Sequence, residues 1–187
     1  MIPRPDAIAA ESFWTYINLV KEKDPVLALQ KNTKSVRKLL KRIPRKKINF
    51  SYAEGKWTLK EMLQHIIDAE RVFVYRALTF SRKDGSELPA FDENEWAITS
   101  KAVKRKWDDL VDEFEFLRAS TEFMFSSLDE DQLLHAGIAN GKPMNAMALA
   151  FVCSGHVQHH MNIMMERYLF DVEIKGGKKK KKKDRGV

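Results

Sequence analysis

Phe151-Val152-Cys153-Ser154-Gly155-His156-Val157-Gln158-His159-His160-Met161-Asn162-Ile163-Met164-Met165-Glu166-Arg167-Tyr168-Leu169 is an apolar run too long for a strand and with the composition of a helix. His156 and His160 are four residues apart, just over one turn, so they share a face. Such a pair can offer two imidazoles to one metal ion, and a histidine from a facing helix can complete a triad. Three protein ligands leave positions open for water or substrate, the arrangement of a catalytic rather than a structural site.

Moving outward, Asn145 is a candidate N-cap, so this helix is expected to run from about Asn145 to Phe170. Residues 128–143, with an Asn140-Gly141 turn and Pro143, read as a loop. A helix is expected from about Ser100 to Ser127, its stripe formed by Val103, Trp107, Leu110, Val111, Phe114, Leu117, Thr121, Met124 and Phe125. Ser81 to Trp96 reads as a loop, long enough to suggest a functional role. Thr58-Leu59-Lys60-Glu61 matches a capping box, opening a helix that should reach about Phe80. In that helix Met62, Ala69, Val72 and Arg76 lie near the direction of His65, which therefore faces the apolar interior. Residues 44–57 read as a loop. Val26, Leu29, Val36, Leu39, Leu40 and Ile43 keep helical spacing between Pro25 and Pro44. A short helix is expected over Phe13 to Val20. The prediction is all-α: a four-helix bundle with a long crossover between its second and third helices, a short extra N-terminal helix, no strand and no repeat.

The chain has 187 residues, 44% hydrophobic, with 8 Gly and 6 Pro, enough for one domain with a sizeable core. The bundle is assigned residues 1–174 and a lysine-rich tail residues 175–187. The tail holds eight positive charges against one negative, which is the whole net charge of +7. The body is therefore neutral, which weakens a nucleic-acid reading. Lys178 to Lys183 cannot pack and is expected to be a disordered, solubilising tail. Lys34, Lys38, Lys41 and Arg45 form a basic stripe, most simply a solvated face. The single cysteine, Cys153, excludes an internal disulfide and fits a reducing compartment. Met1 to Glu11 lacks a signal-peptide apolar run, and no membrane span is evident, so a cytoplasmic location is expected.

Each candidate has a plainer alternative. A core histidine can be satisfied by a backbone carbonyl, and His159 competes with its neighbours for the pair. Loop residue His135 is expected to be solvated. Asp68 could orient a ligand imidazole or act as a base, but could equally be a surface charge paired with Arg71. Arg76 and Arg167, on core faces, could bind an anionic substrate group or pair with acids such as Glu113 or Glu122. Cys153, Met161, Met164 and Met165 are best read as core filling. Asp92 is a candidate to approach the metal pocket from the crossover loop. No glycine-rich phosphate loop, Ser-His-Asp order or zinc-knuckle spacing is present.

Gly55-Lys56-Trp57-Thr58-Leu59-Lys60-Glu61, His65-Ile66-Ile67-Asp68-Ala69-Glu70-Arg71-Val72-Phe73 and Tyr75-Arg76-Ala77-Leu78 resemble the second-helix region of the DinB-like superfamily. Gly155 to Ile163, followed by Glu166-Arg167-Tyr168-Leu169, resembles its fourth-helix motif. This superfamily includes YfiT-like metal hydrolases and bacterial low-molecular-weight-thiol transferases, and is unrelated to the DNA polymerase that shares the name. The resemblance spans roughly residues 25–170. It implies a four-helix bundle holding a divalent metal on His65, His156 and His160, the triad that spacing suggests.

The donor set suits Zn, Ni, Fe, Mn or Cu. The expected function is a metal-dependent enzyme that activates water, as a hydrolase, or a low-molecular-weight thiol, as a thiol transferase. Asp68 and Arg76 are its catalytic candidates, a small molecule is its substrate, and a homodimer is the expected assembly. The alternatives are a non-catalytic metal-binding stress-response scaffold and, with less support, a basic nucleic-acid-binding module.

Overall fold

The computed structural model describes Arg4 and residues 6–172. The lysine-rich tail assigned to 175–187 lies outside the described residues. A 3-10 turn at Glu11–Phe13 leads into α1 (Trp14–Ile17). Four long helices follow: α2 (Pro25–Leu40), α3 (Leu59–Ser81), α5 (Trp107–Ser126) and α7 (Ala146–Ile163). Between them lie α4 (Glu93–Thr99), α6 (Glu130–Leu134) and an antiparallel hairpin of β1 (Ala136–Ala139) and β2 (Lys142–Asn145). Helix α7 packs against α2 and α3, and so does α5, so α2 and α3 form one diagonal of the bundle and α5 and α7 the other. The four-helix bundle with its long crossover from α3 to α5 is thus as expected.

Local chemistry sets the helix ends. Thr58 Oγ1 accepts from the Glu61 amide, and the Glu61 carboxylate accepts from the Thr58 amide, closing the capping box. Asn145 Oδ1 accepts from the Ala148 amide and starts α7, while its Nδ2 donates to the Asp6 carbonyl. Asp24 caps α2 ahead of Pro25.

Several expectations need correction. The strand-free expectation fails at the hairpin, whose Asn140-Gly141 turn has both residues at positive φ. The supposed loop 81–96 contains the start of α4, because Asp92 accepts from the Asn94 and Glu95 amides and caps a helix there. The helix expected from Ser100 begins only at Trp107; Lys101 at φ 53 and the turn Ala102–Lys104 break the chain first. Helix α7 runs into a π-helical turn, Met164–Tyr168, which leaves Arg167 and Met165 exposed rather than on a core face.

The apolar core falls into two clusters. One is built around Phe80, Phe125, Leu149 and Phe151, the other around Leu63, Ile66, Leu110 and Phe114. Each fully buried side chain of this size contributes about 1.5–3 kcal/mol. Along α3, α5 and α7 the clusters change over near residues 68, 118 and 155, and the buried polar groups gather at that level. Among the described residues no helix is long and apolar enough to cross a membrane.

Candidate metal centre

His65 comes from the second turn of α3, and His156 and His160 from successive turns of α7, the helix packed beside it. Their Nε2 atoms converge. His65 Nε2 lies 3.0 Å from His156 Nε2, and His160 Nε2 lies 3.0 Å from the same atom. Candidate ligand atoms of the three residues all fall within 4.8 Å of one another. Rings hold the imidazoles in place: Trp57 is 4.8 Å from His65, Tyr16 meets His156 edge-on at 5.2 Å, and Phe73 meets it at 5.5 Å.

Proton counting tests whether a metal fits. An imidazole nitrogen carries either one hydrogen or one in-plane lone pair. His156 Nε2 can therefore make a well-directed hydrogen bond to one of its two neighbours, and the other contact must share the same hydrogen or lone pair. Burial lowers the pKa of His65 to about 4 and of His160 to about 3, and drives His156 well below its usual value. Three neutral imidazoles with converging lone pairs are the donor set a borderline divalent ion takes. A 3.0 Å separation is one that two nitrogens sharing an ion at about 2.0–2.1 Å can span. The residues present fit a metal.

The family profile of the DinB superfamily matches residues 28–164. The chain belongs to the DinB superfamily. Among solved structures, YfiT from Bacillus subtilis, described as a probable metal-dependent hydrolase with an unusual four-helix bundle topology, is 15% identical with a TM-score of 0.66, covering 89% of this chain and 90% of its own. The mycothiol-dependent maleylpyruvate isomerase is 16% identical with a TM-score of 0.61, covering 73% of this chain and 57% of its own. These likenesses are in fold. No curated protein matches the sequence.

In this DinB-superfamily chain the triad opens onto a cavity of about 380 Å³, walled by Phe13, Tyr16, Trp57, Phe73 and Phe91, with Arg76, Glu93 and Asn140 as its other polar side chains besides Ser12. His159 is outside the triad; its ring packs on Tyr16 at 5.4 Å and on His160 at 5.1 Å. His135 is half-buried rather than solvated. Cys153 is buried on α7 and belongs neither to the triad nor to the cavity lining, and burial raises its thiol pKa well above the ordinary range.

Asp68 does not line the cavity. Its carboxylate accepts from Gln64 at 2.9 Å and pairs with Arg71 at 3.5 Å, the plainer of its two alternatives, and burial raises its pKa. Arg76 does line the cavity and donates to the Pro89 carbonyl at 2.7 Å. Neither acid suggested for it is its partner: Glu113 pairs with Arg71 and Arg105, and Glu122 accepts from Thr33. Asp92, held as a helix cap, gives way to its neighbour Glu93, which lines the cavity and whose charge acts on both His65 and Tyr16. Glu93, Trp57 and Tyr16 were missed from the sequence. Tyr16 and Glu93 reach the triad from the N-terminal segment and the crossover, which no spacing rule carries, and Trp57, just before the Thr58 cap, meets His65 only through ring packing.

Proposed function

We propose that this protein is a metal-dependent enzyme in which His65, His156 and His160 hold one divalent transition ion, Zn, Ni, Fe or Mn. The supporting observation is the pair of 3.0 Å contacts converging on His156 Nε2, of which protons alone can satisfy one. A bound ion would act as a Lewis acid and bring the pKa of a water or thiol in the cavity toward neutrality. Phe13, Tyr16, Phe73 and Phe91 keep bulk water from the imidazoles, and Glu93 at the rim accepts the proton the nucleophile gives up. Asp68, tied to Gln64 beside His65, steadies that turn of α3.

Water is the favoured nucleophile, which makes the protein a hydrolase of small-molecule substrates. The chain supplies no thiol of its own to the site, since Cys153 is buried elsewhere. Transfer of a diffusible thiol is the second reading. It is favoured by the volume of about 380 Å³, far more than a water needs.

The test is elemental analysis of protein purified without a metal-affinity column, as wild type and His160→Ala, followed by ester-hydrolysis and thiol-plus-electrophile assays. Roughly one equivalent of metal is expected in wild type and little in the variant. Activity surviving in a variant without the three histidines would sink the mechanism. A full metal complement with neither activity would favour the scaffold instead.

A further inference from the structure

Arg76 is 4% exposed, yet among the described residues no carboxylate pairs with it. Its one hydrogen bond goes to the Pro89 carbonyl, using one of the five donors a guanidinium carries. Burial alone lowers its pKa, with no acid holding it up. Its other guanidinium nitrogens are not among the buried polar atoms without a partner, so they face the cavity, where a ligand can complete them. Arg76 lines the same cavity as the triad.

The cavity has a direction. His65, Ala69, Phe73 and Arg76 all line it, and at about 100° per residue they fall on one stripe of α3. His65 and Arg76 lie three turns apart, about 16 Å between Cα atoms at about 1.5 Å per residue. The guanidinium is anchored on the Pro89 carbonyl at 2.7 Å, which marks that end of the cavity. Between the two ends the floor is Ala69 and Phe73, and the walls are Phe13, Tyr16 and Phe91. The far end is closed by two segments pinned together. Leu88 donates to the Ile138 carbonyl at 3.0 Å, and Asn140 donates to the Leu88 carbonyl at 2.9 Å. That places Ala90 and the hairpin residue Asn140 at the cavity edge.

We infer that the cavity takes an elongated substrate whose reacting group sits at the three histidines and whose free carboxylate is held by Arg76, with an apolar body between them. The inference rests on the metal-dependent reading above. Among the described residues Arg76 is the one arginine or lysine lining the cavity, enough to match a single negative charge; a phosphate dianion would call for more. Glu93, the one acidic group lining the cavity among the described residues, acts on His65, so a carboxylate finds its complement at the far end.

The probes are hydroxamates, which bind metal through one end, carrying a lengthening methylene chain that ends in either a carboxylic acid or its methyl ester. Acetohydroxamate reports on the triad alone. Binding to metal-loaded full-length protein is measured by calorimetry for wild type, Arg76→Gln, Arg76→Lys and His160→Ala. Gln at position 76 can still donate to the Pro89 carbonyl without the charge, and Lys keeps the charge without the fork. The expected result is a preference for acid over ester of roughly tenfold or more at one chain length, lost in Arg76→Gln and kept in part in Arg76→Lys. Acetohydroxamate should bind wild type and both Arg76 variants alike. Equal binding of acid and ester at every length, or a preference that Arg76→Gln leaves intact, overturns the carboxylate site and leaves the metal reading standing. Acetohydroxamate binding no better to wild type than to His160→Ala overturns the metal reading, and this inference with it.

Discussion

Arg118 is fully buried, and its guanidinium donates to Glu70 at 2.6 Å and to the Cys153 carbonyl at 3.4 Å, while Thr121 donates to the other Glu70 oxygen at 2.8 Å. Burial pushes the Glu70 pKa up, and Arg118 is the largest counterweight. Removing one partner of such a pair leaves the other charge stranded, so Arg118→Met should cost about 3–5 kcal/mol, and Glu70→Gln in the same chain should recover much of it. Urea denaturation of the single and double variants reads both numbers. Spacing alone could not pair these residues: Arg118 lies on the apolar stripe of its helix, four residues after Phe114, but only the packing of α3 on α5 brings Glu70 to it. The triad was legible because a shared helical face needs only spacing. A second residue-scale consequence is acid sensitivity of the metal-free fold. Unfolded histidine takes up a proton near pH 6.5, but buried His65 does so only at about 4 and His160 at about 3. Between those values the unfolded chain binds more protons, so stability is full above about pH 6.5 and falls as the pH drops toward 4. Denaturant midpoints across that range should decline in metal-free protein, and less steeply in His160→Leu; a flat profile would contradict the burial argument.

At the scale of elements, α7 touches α1 more closely than side chains allow. A Cβ built on Gly155 would lie 2.1 Å from the Tyr16 carbonyl oxygen, a backbone atom that cannot rotate away. Gly155 thus lets α1 lie against α7, and α1 brings Tyr16 to the edge of the His156 ring. Gly155→Ala should destabilise the fold by about 1–3 kcal/mol, as overpacking does, and should also weaken metal retention because Tyr16 moves off His156. Thermal melts with and without metal separate the two effects: a loss confined to the metal-free melt would leave the α1 argument without its functional half. Helix starts at Thr58 and Asn145 were readable because caps act within three residues. The hairpin was not, since β1 and β2 have four residues each and are fixed by Leu88 from a distant loop. Glu93 was lost for the same reason, since its helix is anchored by contact with α3 rather than by periodicity.

For the molecule as a whole, the triad is a stability cost that the proposed metal, once bound, would convert into a gain. Three neutral imidazoles crowd between two apolar clusters, no proton placement gives both Nε2 contacts a well-directed bond, and among the described residues His160 Nδ1 is buried without a partner. Replacing His160 by leucine removes the orphaned nitrogen and one of the crowded ones, and adds apolar volume beside Val157 and Met164 of the second cluster. Metal-free His160→Leu should therefore be more stable than metal-free wild type, by about 1–3 kcal/mol, the usual cost of an unsatisfied buried polar group. Metal should reverse the order. An ion that binds only the folded state adds about 2.7 kcal/mol at a hundredfold excess over its dissociation constant, and the leucine variant forgoes most of that. Because an ion held by the three histidines would join α3 to α7, the gain would belong to the global unfolding transition rather than to local fraying. Guanidinium unfolding of both proteins, with chelator and with excess metal, gives four midpoints. The expected pattern is a crossing: variant above wild type without metal, wild type above variant with it. A variant less stable in both conditions would mean that the histidines are ordinary packing residues and that the cavity was not built around an ion. Functional sites held at the expense of stability show such a crossing, and core residues do not.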